Sequence, residues 1–331
     1  MELREEALPA PGADDVLVET TCSAISAGTE MLVYQGRFPR ELETDSAISS
    51  LRGGFEYPLA YGYACVGIIR ETGKQVDRSL RDKLVFAFQP HTSHFIAKAD
   101  SLFPIPDSLS PETACFLPNM ETAVNLVQDG APILGERVLV LGQGVVGLLT
   151  ASLLNEFPLE MLVTADRFEL RRKASREIGV NDSIDPELVN NKNDLATTDL
   201  IPQSAYAQKF DLTFELSGSP SALNDALALT TFSGRIVIGS WYGEKKAPID
   251  LGGAFHRSRI KMISSQVSTI APELSGRWDK ARRFEVAWEA LKRIQPQKWI
   301  THRFSSQEAD KAYQLLDENP QETIQVIFTY S

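Results

Sequence analysis

The stretch Val138–Leu149, VLVLGQGVVGLL, decides the fold of this chain. Four apolar residues predict a buried strand, a helix pattern ends the stretch, and three glycines between them follow the spacing G-x-G-x-x-G. In this setting the first glycine permits a tight turn, the second leaves room for a pyrophosphate beside the backbone, and the third lets helix and strand pack closely. The helix N-terminus adds free N–H groups and a positive dipole end. We predict that a dinucleotide binds here, at Gly142, Gly144, Val145, Val146 and Gly147.

The next predicted strand, EMLVTAD, ends at Asp166, 24 residues after Gly142. This separation is close to the roughly 20 residues that precede the carboxylate that binds the adenosine ribose in dinucleotide sites. Such a carboxylate favours NAD(H), because it would repel the 2′-phosphate of NADP(H). Arg167 follows at once, and Arg171 and Arg172 lie a turn later, so NADP(H) stays open as an alternative. A glycine turn without a ligand is the other interpretation.

The segments around this loop predict two kinds of domain. From residue 137 onward, apolar strands alternate with helices, which indicates βαβ units and a doubly wound parallel sheet, hence an α/β fold. Residues 14–100 contain short apolar runs punctuated by Gly and Pro, and they predict a β-rich region. The segment after residue 297 returns to mixed strands and a helix, and we expect it to rejoin the first part.

Composition narrows the class of protein. With 331 residues, of which 43% are apolar, the chain can bury two cores of ordinary size. Its net charge of −11 argues against nucleic acid or an anionic membrane as a partner. The charged start MELREEALPAPG predicts no signal peptide, and the three widely spaced cysteines predict buried thiols in a reducing cytoplasm. We therefore predict a cytoplasmic protein that acts on a small molecule.

The whole chain resembles the medium-chain dehydrogenase/reductase superfamily of alcohol dehydrogenase-like proteins. The resemblance follows the family's order through YPLAYGYACVGIIRETG, the glycine loop, FELSGSPSALNDALAL, GRIVIGSWYG and the C-terminal tail. It implies a discontinuous β-rich, GroES-like catalytic domain at residues 1–122 and 297–331, and a Rossmann domain at 123–296. It also implies a homodimer joined through the strand IKMISSQVS, residues 260–268. Among branches, the chain is similar to bacteriochlorophyllide 2-hydroxyethyl dehydrogenase-like and threonine or polyol dehydrogenase-like proteins.

The sequence departs from the family where zinc-bearing members hold their metal. Ala27 stands at the Cys of the C-G-T-D motif, Tyr63 and Ala64 stand at the His and Glu of G-H-E, and Pro118 lies near the third ligand. Ala and Pro cannot bind zinc, and a neutral Tyr is a poor ligand. The resemblance therefore implies a cleft without zinc. A metal held by His91 and His94 of QPHTSHF, with Cys65 or Glu30 as a third ligand, is the less favoured alternative.

Without zinc, a protein group must stabilise the oxygen of the substrate during hydride transfer. Thr29 stands where relatives keep the hydroxyl that contacts this oxygen, and Tyr63 offers a phenol as hydrogen-bond donor. Glu30 occupies the position of the acid that supports a metal ligand, and it is expected to orient Tyr63 or His94. The alternatives are an aromatic plug for Tyr63, a capping hydroxyl for Thr29 and a solvated or capping acid for Glu30.

The remaining candidates come from the resemblance and from local charge. Residues after two later strands are expected to complete the cofactor site: Ser217, Gly218, Gly239 and Ser240. Expected substrate residues are His91, His94, Asn119, Glu121, Trp241, Arg277 and Trp278. The basic cluster that contains Arg277, Lys280, Arg282 and Arg283 suggests an anionic substrate, and exposed helix charges are its alternative.

The predicted function is a zinc-independent, NAD(P)-dependent oxidoreductase that interconverts an alcohol and a carbonyl. Zinc-free relatives of the same fold reduce enones or quinones, so this activity is a second expectation. A nucleotide-binding redox sensor without turnover is the alternative from another class. Cofactor binding cannot separate these functions, whereas turnover can.

Overall fold

The computed structural model describes residues 1–39, 49–51, 54, 56–187 and 209–330. The chain forms two compact units. Unit 1 comprises Met1–Pro118 and Trp288–Ser331, and unit 2 comprises Asn119–Ala287.

Unit 1 is built on a β-sheet with seven strands among its described residues. They are β1 (Asp15–Ala24), β2 (Cys65–Thr72), β3 (Leu84–Ala87), β4 (His94–Lys98), β5 (Phe103–Pro104), β12 (Ile300–Ser305) and β13 (Gln325–Thr329). The order is β12-β13-β1-β2-β3-β5, and β4 pairs with β1. β1 pairs antiparallel with β13, so the C-terminal segment lies in the same sheet as the first part of the chain.

Alternation in the sequence explains the central strand of unit 1. Along β1 each second residue is buried, and Val16 and Val18 are fully enclosed. They pack with Ile69, Val85 and Phe95 from neighbouring strands, as a half-buried antiparallel strand requires. Among the residues described in unit 1, three α-helices lie wholly within it: α1 (Glu30–Tyr34), α2 (Pro111–Ala114) and α8 (Ala309–Glu318).

Unit 2 contains a parallel sheet, six-stranded in the part of the chain that is described. Its strands are β6 (Arg137–Leu141), β7 (Met161–Ala165), β8 (Asp182–Ile184), β9 (Phe210–Glu215), β10 (Thr230–Ile238) and β11 (Lys261–Ser264). The order is β11-β10-β9-β6-β7-β8, and every pairing is parallel. The strand order reverses between β6 and β9, which is the doubly wound arrangement that the alternating pattern predicts. A ligand of such a sheet binds at this reversal, beside the carboxyl ends of the strands.

Helices of unit 2 follow the predicted segments. They are α4 (Val145–Leu154), α5 (Glu169–Ile178) and α6 (Ala222–Leu229), and α3 (Leu117–Gly130) and α7 (Lys280–Ile294) cross the boundaries between the units along the chain. α5 ends at Gly179, which adopts the left-handed conformation with φ +96°. Within the described ranges, no helix combines the length and the apolar character that crossing a membrane would need.

Candidate functional site

The glycine loop joins β6 to α4, and each glycine has a distinct reason to be there. Gly142 has φ +92°, and a Cβ on it would lie 2.6 Å from the backbone of Leu216. A Cβ on Gly147 would lie 1.9 Å from the carbonyl oxygen of Gly142. Around Gly144, in contrast, no described heavy atom lies within 4 Å of such a Cβ. Two glycines are therefore required by the fold, and the third keeps a space open.

That space lies at the N-terminus of α4. Gly144 is the N-cap residue, and having no side chain it cannot satisfy the first N–H groups of the helix. Val145 and Val146 form the first turn and are only partly buried. An open cradle of backbone donors with a positive dipole end suits a diphosphate, so the residues present fit a dinucleotide.

Asp166, directly after β7, is tied to this loop. Its Oδ2 accepts a hydrogen bond from the Gln143 backbone N–H at 2.7 Å, and its Oδ1 accepts one from Phe168 at 2.8 Å. Nη1 of Arg171 lies 3.9 Å from Oδ2. The guanidinium groups of Arg167 and Arg171 both stack on the Phe168 ring, 4.7 and 4.9 Å from its centroid. Burial lowers the pKa of Arg171, and the Asp166 charge partly offsets this. The segment thus combines one carboxylate with two nearby cations.

A buried acid that sequence reasoning missed organises the carboxyl ends of β9 and β10. Glu215 is fully enclosed; its Oε1 accepts from the backbone N–H and the hydroxyl of Ser217, and its Oε2 accepts from the Tyr242 hydroxyl. Burial and the Glu215 charge raise the pKa of Tyr242. The Ser240 hydroxyl accepts from the Gly218 N–H at 2.9 Å. An acid at the end of the otherwise apolar strand FDLTFE was the signal that could have revealed it.

Two further candidates lie beside these residues. A Cβ on Gly239 would lie 2.6 Å from Leu126 and 2.7 Å from Leu216, so Gly239 is required by close packing. Trp241 is 36% exposed. The structure therefore brings Ser217, Gly218 and Ser240 into one hydrogen-bonded group at the strand ends, with Trp241 next to it in the chain.

In unit 1, Glu30 is the centre of a buried network rather than a solvated acid. Its Oε1 accepts from the Ser26 N–H at 2.7 Å, and its Oε2 lies 2.9 Å from Nε2 of His91 and accepts from the Tyr313 hydroxyl at 2.5 Å. Burial by itself would raise the pKa of Glu30, but His91, Ser26 and Tyr313 together lower it below its ordinary value. Glu30 therefore carries its charge inside unit 1. The same burial, with the Glu30 charge, raises the pKa of Tyr313 well above its usual range.

Thr29 and Tyr63 flank this carboxylate. Thr29 is the N-cap of α1, whose residues are all described. Its hydroxyl makes no capping hydrogen bond to the backbone N–H groups of that helix. The Tyr63 hydroxyl donates to Oγ of Ser26 at 2.5 Å, and the Tyr63 ring meets Tyr61 edge to face at 6.5 Å. Ser26, which the sequence did not single out, thus joins Tyr63 to Glu30.

The two histidines of QPHTSHF have different surroundings. Nδ1 of His91 lies 2.7 Å from the Ser23 hydroxyl, while Nε2 faces Glu30. His94 is exposed on β4, where its Nδ1 lies 3.2 Å from the Ser93 hydroxyl. The structure therefore pairs Glu30 with His91 and not with His94. In the described part of the chain, no cluster of three or more His, Cys, Asp or Glu side chains is placed to hold a metal.

The residues of the predicted basic cluster have different surroundings in the structure, some buried and some exposed. Arg283 is fully buried, and its Nη2 lies 2.9 Å from Oε1 of Glu121; Lys280 pairs with the same oxygen. Arg277 is exposed, and the Arg282 guanidinium stacks on Trp278 at 4.1 Å. Arg283 is thus enclosed against an internal carboxylate, which corrects its assignment to an anion-binding surface, whereas Lys280 pairs with the same carboxylate from a partly exposed position. A substrate contact by Glu121 would have to compete with this ion pair, and Asn119, partly buried in α3, lies two residues before it.

Comparisons with known proteins agree with this architecture. Residues 145–284 match the family model described as zinc-binding dehydrogenase. The starvation-sensing protein RspB of Escherichia coli K12 is 22% identical over 99% of this chain and 95% of its own length. An L-threonine 3-dehydrogenase of Xanthomonas campestris is 23% identical over 96% of this chain and 93% of its own.

Solved structures show the same fold. An alcohol dehydrogenase, RspB from Escherichia coli CFT073 complexed with NADH, superposes with a TM-score of 0.76 at 20% identity, covering 99% of this chain and 95% of its own. A 2R,3R-butanediol dehydrogenase from Bacillus subtilis has a TM-score of 0.75 at 17% identity, covering 99% and 96%. A zinc-binding dehydrogenase homologue from Sinorhizobium meliloti, bound to NADP, has a TM-score of 0.73 at 19% identity, covering 98% and 95%.

The relatives and the solved structures cover both units of the chain, whereas the family model covers residues 145–284. The fold is that of a Rossmann domain combined with a GroES-like domain, as the resemblance implied. Residues 145–284 therefore match the zinc-binding dehydrogenase family model, and the chain as a whole shares the fold of the dehydrogenases to which it is similar.

Proposed function

We propose that this protein is a zinc-independent, NAD(P)-dependent oxidoreductase that interconverts an alcohol and a carbonyl. One observation carries the proposal: an intact phosphate loop in unit 2 accompanies non-ligating residues in unit 1. By the resemblance, Ala27 and Tyr63 stand at positions where zinc-bearing relatives have ligands and Pro118 lies near the third, and none of the three is a thiolate, imidazole or carboxylate. The cofactor chemistry is retained, whereas the metal chemistry has to be replaced by protein groups.

The phosphate loop supports the cofactor part of this proposal. The open position at Gly144 and the donors of α4 receive the diphosphate, and Asp166 receives the adenosine ribose. We favour NAD(H), because a carboxylate at this position repels a 2′-phosphate. The stacked pair Arg167 and Arg171 would support NADP(H) instead. Relatives of this fold have been solved with each cofactor.

The network in unit 1 supports the catalytic part. When bound, the nicotinamide supplies or accepts the hydride. On substrate binding, the Ser26 hydroxyl turns to donate to the Tyr63 oxygen, and the Tyr63 phenol then donates its proton in a hydrogen bond to the substrate oxygen, where negative charge grows as a carbonyl is reduced. Thr29, whose hydroxyl is not used to cap α1, is the second donor. In this scheme Glu30 contacts neither the substrate nor the transferred hydride. It holds the Ser26 segment in place by accepting a hydrogen bond from the Ser26 N–H.

Substrate class and assembly follow as smaller parts of the proposal. Arg277 is exposed beside Trp278, and we assign them to a small or moderately sized anionic substrate. β11 is the edge strand of the parallel sheet, and we propose that the homodimer forms through it.

The test is a turnover assay on purified protein whose metal content has been measured. Purified protein, with zinc measured by elemental analysis, is given NADH or NADPH and a panel of ketones, aldehydes and enones. We expect carbonyl-dependent oxidation of the reduced cofactor without stoichiometric zinc and without inhibition by chelators. Tyr63→Phe should lower kcat by about 100-fold, the usual effect of removing one oxyanion donor. Tyr34→Phe, a change at an exposed ring, is the matched control.

Three outcomes would contradict parts of this proposal. One equivalent of tightly bound zinc that is needed for activity would overturn the zinc-independent mechanism. Turnover of enones alone would favour the reductase alternative. Tight NADH binding without turnover of any substrate would favour a redox sensor.

A further inference from the structure

His91 is connected to the backbone of Tyr61 and Gly62, immediately before Tyr63. The His91 N–H donates to the Tyr61 carbonyl at 3.2 Å, and the imidazole lies against Gly62. A Cβ on Gly62 would lie 2.7 Å from Cδ2 of His91, and Gly62 has φ +119°. A glycine is therefore needed here both for its conformation and for the approach of the ring. The imidazole thus holds the backbone from which Tyr63 projects.

A second connection runs through side chains to the other end of Tyr63. Nε2 of His91 lies 2.9 Å from Glu30, the other oxygen of Glu30 accepts from the Ser26 N–H at 2.7 Å, and Oγ of Ser26 accepts from Tyr63 at 2.5 Å. Together with the backbone connection, these contacts form a closed ring that begins and ends at His91. Tyr63 is held at its backbone and at its hydroxyl.

The ring is braced from the surrounding elements. The Ser23 hydroxyl meets Nδ1 of His91 at 2.7 Å and the Tyr330 hydroxyl at 2.8 Å. The Tyr313 hydroxyl donates to Glu30, and Phe328 meets the His91 ring edge to face at 5.0 Å. Both nitrogens of His91 are engaged by these groups. Its side chain is only 12% exposed, so it is a poor candidate for direct contact with substrate.

We propose that His91 is a positioning residue for Tyr63, acting through Glu30 and Ser26. The inference rests on the proposed function and adds a residue to it. A metal would fix the substrate oxygen by coordination, whereas a phenol fixes it only if its own direction is fixed. Misplacement of a reacting group by about 1 Å can cost 100-fold in rate. The closed ring supplies the required rigidity.

The test is a double-mutant cycle between His91→Gln and Tyr63→Phe. Gln keeps a hydrogen-bond donor for Glu30, so the buried carboxylate is not left without a partner. The Gln side chain lacks the imidazole ring that contacts Gly62, Glu30 and Ser23 together. We expect His91→Gln to lower kcat about tenfold with the KM for the cofactor unchanged. In the Tyr63→Phe background it should have no further effect, because residues that act through one another are non-additive. Equal, additive losses in both backgrounds would overturn the proposal.

A spectroscopic readout separates this inference from the proposed function. The chain has 8 tyrosines, so the spectrum of protein labelled at tyrosine Cζ is simple, and Tyr63→Phe assigns one signal. His91→Gln should shift the Tyr63 signal, and His302→Gln, a change in β12 outside the ring, should not. An unmoved Tyr63 signal overturns the inference even if the enzyme is active. A shifted signal in a protein without turnover overturns only the proposed function.

Ser26→Ala is the second variant, in case His91→Gln does not fold. It removes the hydroxyl that joins Tyr63 to the Glu30 side of the ring and leaves the contact between Glu30 and His91 intact. We expect the same tenfold loss in kcat and the same displacement of the Tyr63 signal. Wild-type values for both would overturn the proposal.

Discussion

Gly144→Asp separates the folding role of the glycine loop from its binding role. The Cβ of Gly144 would enter open space, and the backbone has φ −67°, which any residue adopts. Asp is also a preferred N-cap, so the variant should fold with a free energy of unfolding within about 0.5 kcal/mol of wild type. The new carboxylate would lie where the diphosphate must approach.

The expected loss of affinity follows from charge. Two unit charges about 4 Å apart interact by about 4 kcal/mol at an effective dielectric constant of ~20. The new carboxylate would also interact with the positive end of the α4 dipole, and so reduce its attraction for the phosphates. This interaction is worth about 0.3–1 kcal/mol. Allowing for screening, we expect NADH to bind at least about 100-fold more weakly, which corresponds to about 2.7 kcal/mol.

The assay is NADH fluorescence titration alongside thermal unfolding. Gly144→Ala adds a methyl group without charge, and it should keep the melting temperature and lose less affinity than the Asp variant. Gly147→Ala is the opposite control, because its Cβ would lie 1.9 Å from a backbone oxygen and should destabilise the fold itself. Wild-type NADH affinity in Gly144→Asp would refute the assignment of the loop.

Three further predictions test other parts of the molecule. Asp166→Asn keeps an acceptor for the loop but removes the charge, so the ratio of NAD to NADP affinity should fall about tenfold, about 1.4 kcal/mol, by equilibrium titration. The lowered pKa of Glu30 means that its charge stabilises the fold above the ordinary carboxyl range and that this stabilisation disappears as the pH falls through the lowered pKa. Glu30→Gln should therefore cost about 2 kcal/mol at neutral pH, and the difference from wild type should shrink in acid denaturation series. Arg283→Met leaves Glu121 buried with less compensation and should cost about 3–5 kcal/mol in urea unfolding, whereas the exposed neighbour Arg282→Met should cost under about 1 kcal/mol.

The conformation of the glycine loop could be predicted from sequence because its geometry is local. The turn at Gly142, the close approach at Gly147 and the acid at Asp166 lie within one βαβ unit, so spacing alone specifies their geometry. The parallel sheet was predictable for a similar reason, since strand and helix periods alternate along the chain.

The polar networks could not be predicted, because their partners are distant in sequence. Glu30 meets His91 61 residues later and Tyr313 283 residues later, and Arg283 meets Glu121 across 162 residues. Nothing local distinguishes Arg283, which is buried, from Arg282, which is exposed: they are adjacent and have the same chemistry. Only the helix phase and the position of α3 beside α7 decide which guanidinium faces inward.

The sequence by itself therefore determined the type of fold and the glycine turn between β6 and α4, because each depends on residue types within a short span. Only the tertiary structure decided that Glu30 is paired with His91, that Ser26 links this pair to Tyr63, and that Glu215 organises the ends of β9 and β10. A buried charge must find partners wherever the folded chain provides them. Packing in three dimensions determines those partners, so they cannot be identified from the order of residues along the chain.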